Sequence, residues 1–128
     1  MNIIHKNTKT IFESDNNLFC LLTMNSHPVH TNIEYAKKAY HKKILVVGTL
    51  VFSLAVGLTV PELSFDAIAN LEYSNVKHIK PVFIGDTIRV ESQVKKEPTK
   101  NHKLCLIDSK VYNQNNEIIL TFSRKILK

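Results

Sequence analysis

The chain has 128 residues, of which 44% are hydrophobic and 22% charged, a balance that fits one globular domain and excludes a disordered chain. Three glycines, four prolines and two cysteines exclude a collagen-like chain, a linker and a disulfide scaffold. The formal charge of +6 comes from scattered lysine pairs with no arginine cluster and no interleaved aromatics, so nucleic acid is not the expected partner, whereas a ligand bearing several phosphates suits it.

In chain order, the N-terminus lacks an apolar leader core, and Cys20 and Cys105 sit in apolar stretches as small core residues. Together these predict a cytoplasmic protein with free thiols. Residues 8–13 read as a short strand. Ser14 or Asp15 then caps a helix whose apolar face carries Leu18, Phe19, Leu21 and Leu22. Pro28 ends any helix there. Thr31 with Glu34 forms a capping box, which predicts a second helix from Asn32 to about Tyr40.

Residues 44–60 carry no charge. A membrane span needs about 20 apolar residues, so this stretch reads as a helix buried on every side, with a short membrane span as the alternative. The remainder reads as strands at 67–79, 87–97, 103–113 and 117–127. Gly85-Asp86 and Asn113–Asn116 serve as turns. One antiparallel sheet wrapped around one long apolar helix satisfies this order, an α+β architecture known as the hot-dog fold, in one domain over residues 1–128.

One segment carries more than fold information. Leu18-Phe-Cys-Leu-Leu-Thr-Met-Asn-Ser-His-Pro-Val-His-Thr-Asn-Ile-Glu-Tyr-Ala36 resembles the signature of MaoC-like acyl-CoA hydratases and dehydratases, roughly F-x-x-L-T-G-D-x-N-P-[IV]-H-x-D-x-x-Y-A. The match is in phase at Phe19, Leu22, Thr23, Pro28, Val29, His30, Tyr35 and Ala36. Val47-Gly48-Thr49 resembles the family's glycine at the start of the central helix. Pro81-Val-Phe-Ile-Gly-Asp-Thr87 resembles its P-V-F-x-G-D-T turn. Asn25 stands where the family has its aspartate, Met24 where it has Gly, His27 where it has Asn, and Asn32 where it has the later Asp. A T-M-N-x-x-P-[LV]-H segment together with Ala69-Asn70-Leu71 is similar to the branch of itaconyl-CoA and mesaconyl-CoA hydratases.

The resemblance implies an enzyme that moves water on or off the 2,3-double bond of a short enoyl-CoA. His30 would be the acid/base, Asn25 a water- or carbonyl-orienting amide, and the Gly48 N–H the donor to the thioester oxygen. His27, Phe19 and Tyr35 would be substrate-binding. It implies a homodimer or an assembly of dimers, with no metal and no cofactor beyond the coenzyme A of the substrate. Plainer accounts stand beside these roles. His30 could cap the next helix, His27 could be a polar loop residue, and Gly48 could serve close packing. Two other functions remain open: a hot-dog thioesterase, and an acyl-CoA-binding module without activity, which Asn25 would suit because an amide takes up no proton near neutrality.

Overall fold

The computed structural model describes all 128 residues. Its elements in chain order are β1 (Asn2–Ile4), β2 (Lys9–Thr10), α1 (Glu13–Thr23), α2 (Ile33–Lys38), α3 (Gly48–Leu58), a π-helical turn (Val60–Ser64), β3 (Ala69–His78), β4 (Thr87–Lys96), β5 (Leu104–Tyr112) and β6 (Ile118–Leu127). The antiparallel strands run in the order β1-β4-β5-β6-β3, with β2 added alongside β4. Period-two alternation builds the concave face. Ile88, Val90 and Ser92 on β4, Ile107, Ser109 and Val111 on β5, and Leu120, Phe122, Arg124 and Ile126 on β6 are all buried. Leu50, Val51 and Ala55 of α3 pack onto that face. Each fully buried aliphatic side chain contributes about 1.5–3 kcal/mol. This is the hot-dog arrangement expected from the order of elements.

The sequence reading needs four corrections. First, the strand placed at 8–13 shortens to β2, and an unexpected strand, β1, pairs Ile3 with Ser92. Second, α1 starts at Glu13 rather than behind a Ser14 or Asp15 cap. Asp15 acts from inside the first turn, its Oδ2 accepting the Phe12 N–H at 2.8 Å. Third, α2 is capped by Asn32, whose Oδ1 accepts the Tyr35 N–H at 3.0 Å, and not by Thr31. Fourth, residues 44–60 are not one helix. Val46 donates to the Val82 carbonyl at 2.9 Å, and Leu45 bridges Phe83, so the stretch enters as extended chain and coils only from Gly48. A purely apolar run cannot distinguish the two forms. Pro61 lies in the π-helical turn beyond the helix end. Within a single copy of the chain the sheet covers one side of α3, and Thr49, Ser53 and Gly57, four residues apart, face outward. No helix is long and apolar enough to cross a membrane. Both cysteines are buried and free, as expected.

The strand bounds otherwise follow the reading to within two residues. Gly85 adopts φ +93°, a conformation only glycine enters freely, while Asp86 Oδ2 accepts the Phe83 N–H at 2.9 Å and closes the turn. Asn113 Oδ1 accepts the N–H groups of both Asn115 and Glu117 and shapes the β5–β6 turn. The edge strand β3 leaves Leu71, Tyr73 and Val76 exposed.

Candidate active site

Residues 24–32 form the link between α1 and α2. Met24, in the left-handed conformation at φ 60°, ends α1. A tight turn follows, with the N–H of His30 bonded to the carbonyl of His27 and that of Asn32 to the carbonyl of Pro28. Pro28 presets the backbone of this turn. A single buried side chain ties it to the helix beyond. Asn16 Nδ2 donates to the His30 carbonyl at 3.0 Å, and Asn16 Oδ1 accepts the Val47 N–H at 3.0 Å. Asn16 therefore fixes His30 relative to Val47, the residue just before α3.

His30 Nδ1 lies 2.6 Å from the Leu45 carbonyl oxygen. A carbonyl oxygen only accepts, so Nδ1 carries the hydrogen and the neutral ring keeps a lone pair on Nε2. Gly48 opens α3. The N–H groups of Gly48 and Thr49 have no acceptor within the chain. They form the free, positively polarised end of an 11-residue helix. A cleft of about 360 Å³ brings His30 and Gly48 together with His41, His78, Lys80 and an apolar wall that includes Val51. No carboxylate lines it. A base with a free lone pair and unpaired N–H donors in one cleft can take a proton from water and hold a developing oxyanion. His30 also borders a second hollow of about 340 Å³, lined by Glu13, Ser14, Asn17 and Thr31.

Of the residues singled out in the sequence, only His30 and Gly48 line the first cleft. Asn25 does not. Its Oδ1 accepts the His27 N–H at 3.2 Å, which makes it an organiser of the turn. His27 Nδ1 accepts the Val29 N–H at 3.1 Å, and the ring stands edge-on to Tyr35, 5.9 Å away. Tyr35 is exposed, and Phe19 packs against the main core. The sequence reading missed Asn16, His41, His78 and Lys80. Asn16 left a faint signal, an amide four residues before Cys20 on the buried face of α1. The other three left none, because a loop, a strand end and a following link converge only in three dimensions.

A second histidine cluster lies apart from this cleft. His5 is buried, with Nδ1 3.1 Å from Glu62 Oε2 and Nε2 2.8 Å from Ser92 Oγ, which in turn lies 2.8 Å from Ser109 Oγ. The Glu62 carboxyl titrates below the usual range. The Lys6 N–H bonded to it is the largest cause and the His5 hydrogen bond the next. Burial pushes both cysteine thiols up, Cys20 and Cys105 alike, so neither presents a thiolate nucleophile. No three His, Cys, Asp or Glu side chains converge to hold a metal ion.

A model of the MaoC-like domain matches residues 1–116. The chain belongs to the MaoC-like domain family. This MaoC-like domain is 30% identical over 128 residues to a mesaconyl-CoA hydratase of Cereibacter sphaeroides, and 27% identical to a beta-methylmalyl-CoA dehydratase of Chloroflexus aurantiacus. Each match covers 98% of the chain but only 37% and 36% of the relative, so the chain spans little more than a third of their length. Among solved structures it resembles an Archaeoglobus fulgidus protein described as a monoamine oxidase regulatory protein. The TM-score is 0.87 at 30% identity, over 99% of this chain and 87% of that one. An (R)-hydratase of Pseudomonas aeruginosa shares the fold, with a TM-score of 0.86 at 23% identity over 99% of this chain and 79% of that one.

Proposed function

We propose that this MaoC-like domain adds water to, or removes it from, the 2,3-double bond of a short enoyl-CoA thioester. The observation that carries the reading is the pairing of His30 with Gly48. Nδ1 is held by the Leu45 carbonyl, so Nε2 is the basic atom, and His30 lines the same cleft as Gly48, whose N–H is unpaired. In the hydration direction, Nε2 takes a proton from water and the hydroxyl adds to C3. The electron pair of the double bond moves toward the thioester oxygen, which the Gly48 N–H stabilises. The names of the two curated relatives support a CoA thioester as substrate. Lys43, stacked 4.1 Å from the centre of the Phe83 ring, adds positive charge of the kind coenzyme phosphates attract, whereas the charge of Lys80 at the cleft is paired with Glu117.

The partner in this reading is a second copy of the chain. The exposed apolar residues of β3 and the uncovered side of α3 would be shielded by a protomer placed along that edge.

The test follows loss of the conjugated thioester band with crotonyl-, mesaconyl- and itaconyl-CoA, in the wild type and in His30→Ala. The expected result is turnover by the wild type on at least one thioester and a fall of at least about 100-fold in His30→Ala. One observation favours a second reading, a binding module without activity: Asn25 offers no carboxylate. A wild type that binds these thioesters without turning any over would establish that reading and end the first.

A further inference from the structure

Addition of water involves two proton transfers, one from water and one to C2, and a group beside C2 spares His30 from making both. His30 accounts for the first. Asn25 cannot account for the second, because its amide neither titrates near neutrality nor lines the cleft. Resting on the hydratase reading above, we propose that His78, at the end of β3, is the second catalytic group and delivers the proton to C2.

Three observations place it there. The His78 ring lies against Gly48: a Cβ built on that glycine would stand 3.0 Å from Cε1, 3.3 Å from Nε2 and 3.4 Å from Nδ1 of the imidazole. In this proposal a thioester whose oxygen sits on the Gly48 N–H has its C2 on the side of the glycine that this ring covers. Neither His78 nitrogen is engaged by another group of the chain, unlike both nitrogens of His5 and the Nδ1 of His30. The ring is also exposed, so it exchanges protons with solvent between turnovers. The charged and titratable groups facing it are few: His30 and His41 from the loops and Lys80 from the link after β3, with Leu120 opposite on β6 and no carboxylate in the cleft. Glu13 lies in the other hollow, away from Gly48.

The step balances. His30 Nε2 gains the proton of water while the oxygen bonds to C3. The π pair of C2–C3 becomes the enolate, and the C2–H bond then forms with the proton of the His78 imidazolium, which is left neutral. His30 returns one proton to solvent and His78 takes one up.

The test compares pH–rate profiles of the wild type, His78→Gln and His78→Phe, the last preserving a ring against Gly48. Thermal melts confirm that each variant is folded. His78 acts as the protonated form, so the wild-type rate falls on the alkaline side. Both variants are expected to lose about 100-fold or more in kcat together with that alkaline limb, while the acid limb set by His30 stays. Wild-type turnover with unchanged kcat and an intact alkaline limb in a folded variant overturns the assignment and leaves the hydratase reading standing. A wild type inert on every thioester removes the hydratase reading and this assignment with it, an outcome distinct from the first because it appears before any variant is made.

Discussion

His5 and His30 make a controlled comparison within one chain. Both rings are held by hydrogen bonds, and the His5 cluster looks the more like an enzyme, with a carboxylate, an imidazole and a serine hydroxyl in line. Yet both nitrogens of His5 are engaged, and Ser92 and Ser109 are buried with it. The cluster satisfies polar groups that folding has taken out of water, and it fastens β1 and the π-helical turn to β4. His30 has one nitrogen engaged and one free, and it opens onto a cleft. What separates a site from a structural network here is the unspent hydrogen-bonding capacity facing an open space, not the roster of residue types.

The largest effect that bears on this contrast is expected at Asn16. It touches neither cluster's chemistry but holds the His30 turn against the start of α3. Asn16→Ala leaves the buried Val47 N–H without an acceptor, which costs about 1–3 kcal/mol, and lets His30 and Gly48 drift apart. A misplacement of about 1 Å costs on the order of 100-fold in rate. Urea unfolding combined with turnover of the folded fraction would measure both. Loss of stability with full activity would show that the two site residues are placed independently of Asn16.

A smaller effect, confined to stability, is expected from His5→Ala. Removing the ring strips partners from Ser92 and Glu62 at about 1–3 kcal/mol. Activity per folded molecule should not change, the reverse of His30→Ala. A His5 variant that stayed stable and lost activity would make the buried cluster part of the site after all.

The smallest effect is a matter of pH. The Glu62 carboxyl is held below its usual range by Lys6 and His5. The stability this contributes is complete above the ordinary glutamate value and is lost as pH falls through the lower folded value. Glu62→Gln is expected to flatten the acid side of the stability curve, leaving the part due to Asp15 and Glu117, whose carboxyls are also lowered, chiefly by Lys9 and Lys80 respectively. An unchanged acid slope would show that this carboxylate does not fasten the π-helical turn to the segment after β1.

β3 to β6 were legible in the sequence, β4 most clearly through its period-two pattern, with Gly-Asp and Asn turns punctuating them, whereas β1 was not. The central helix was legible in kind but not in extent. An apolar run is compatible with extended chain and coil alike, and only the ladder contacts of Leu45 and Val46 decide where coiling starts. His30 and Gly48 were legible through their neighbours in two separate blocks. The place given to Asn25 followed the family's spacing, and in the structure its Oδ1 is bonded to the turn. His78 could not be found by any spacing rule. It is one histidine on a strand end, and its nearness to Gly48 is created by the closure of the sheet around α3.

That nearness has a consequence for how the sequence can drift. A methyl group at position 48 would stand 3.0 to 3.4 Å from the His78 imidazole, so that ring would have to give by a few tenths of an ångström. The ring is exposed and can give. An alanine at 48 is therefore admitted at the expense of the ring's placement, and a smaller side chain at 78 removes that expense. A change at one position alters what a change at the other does to the wall of the cleft.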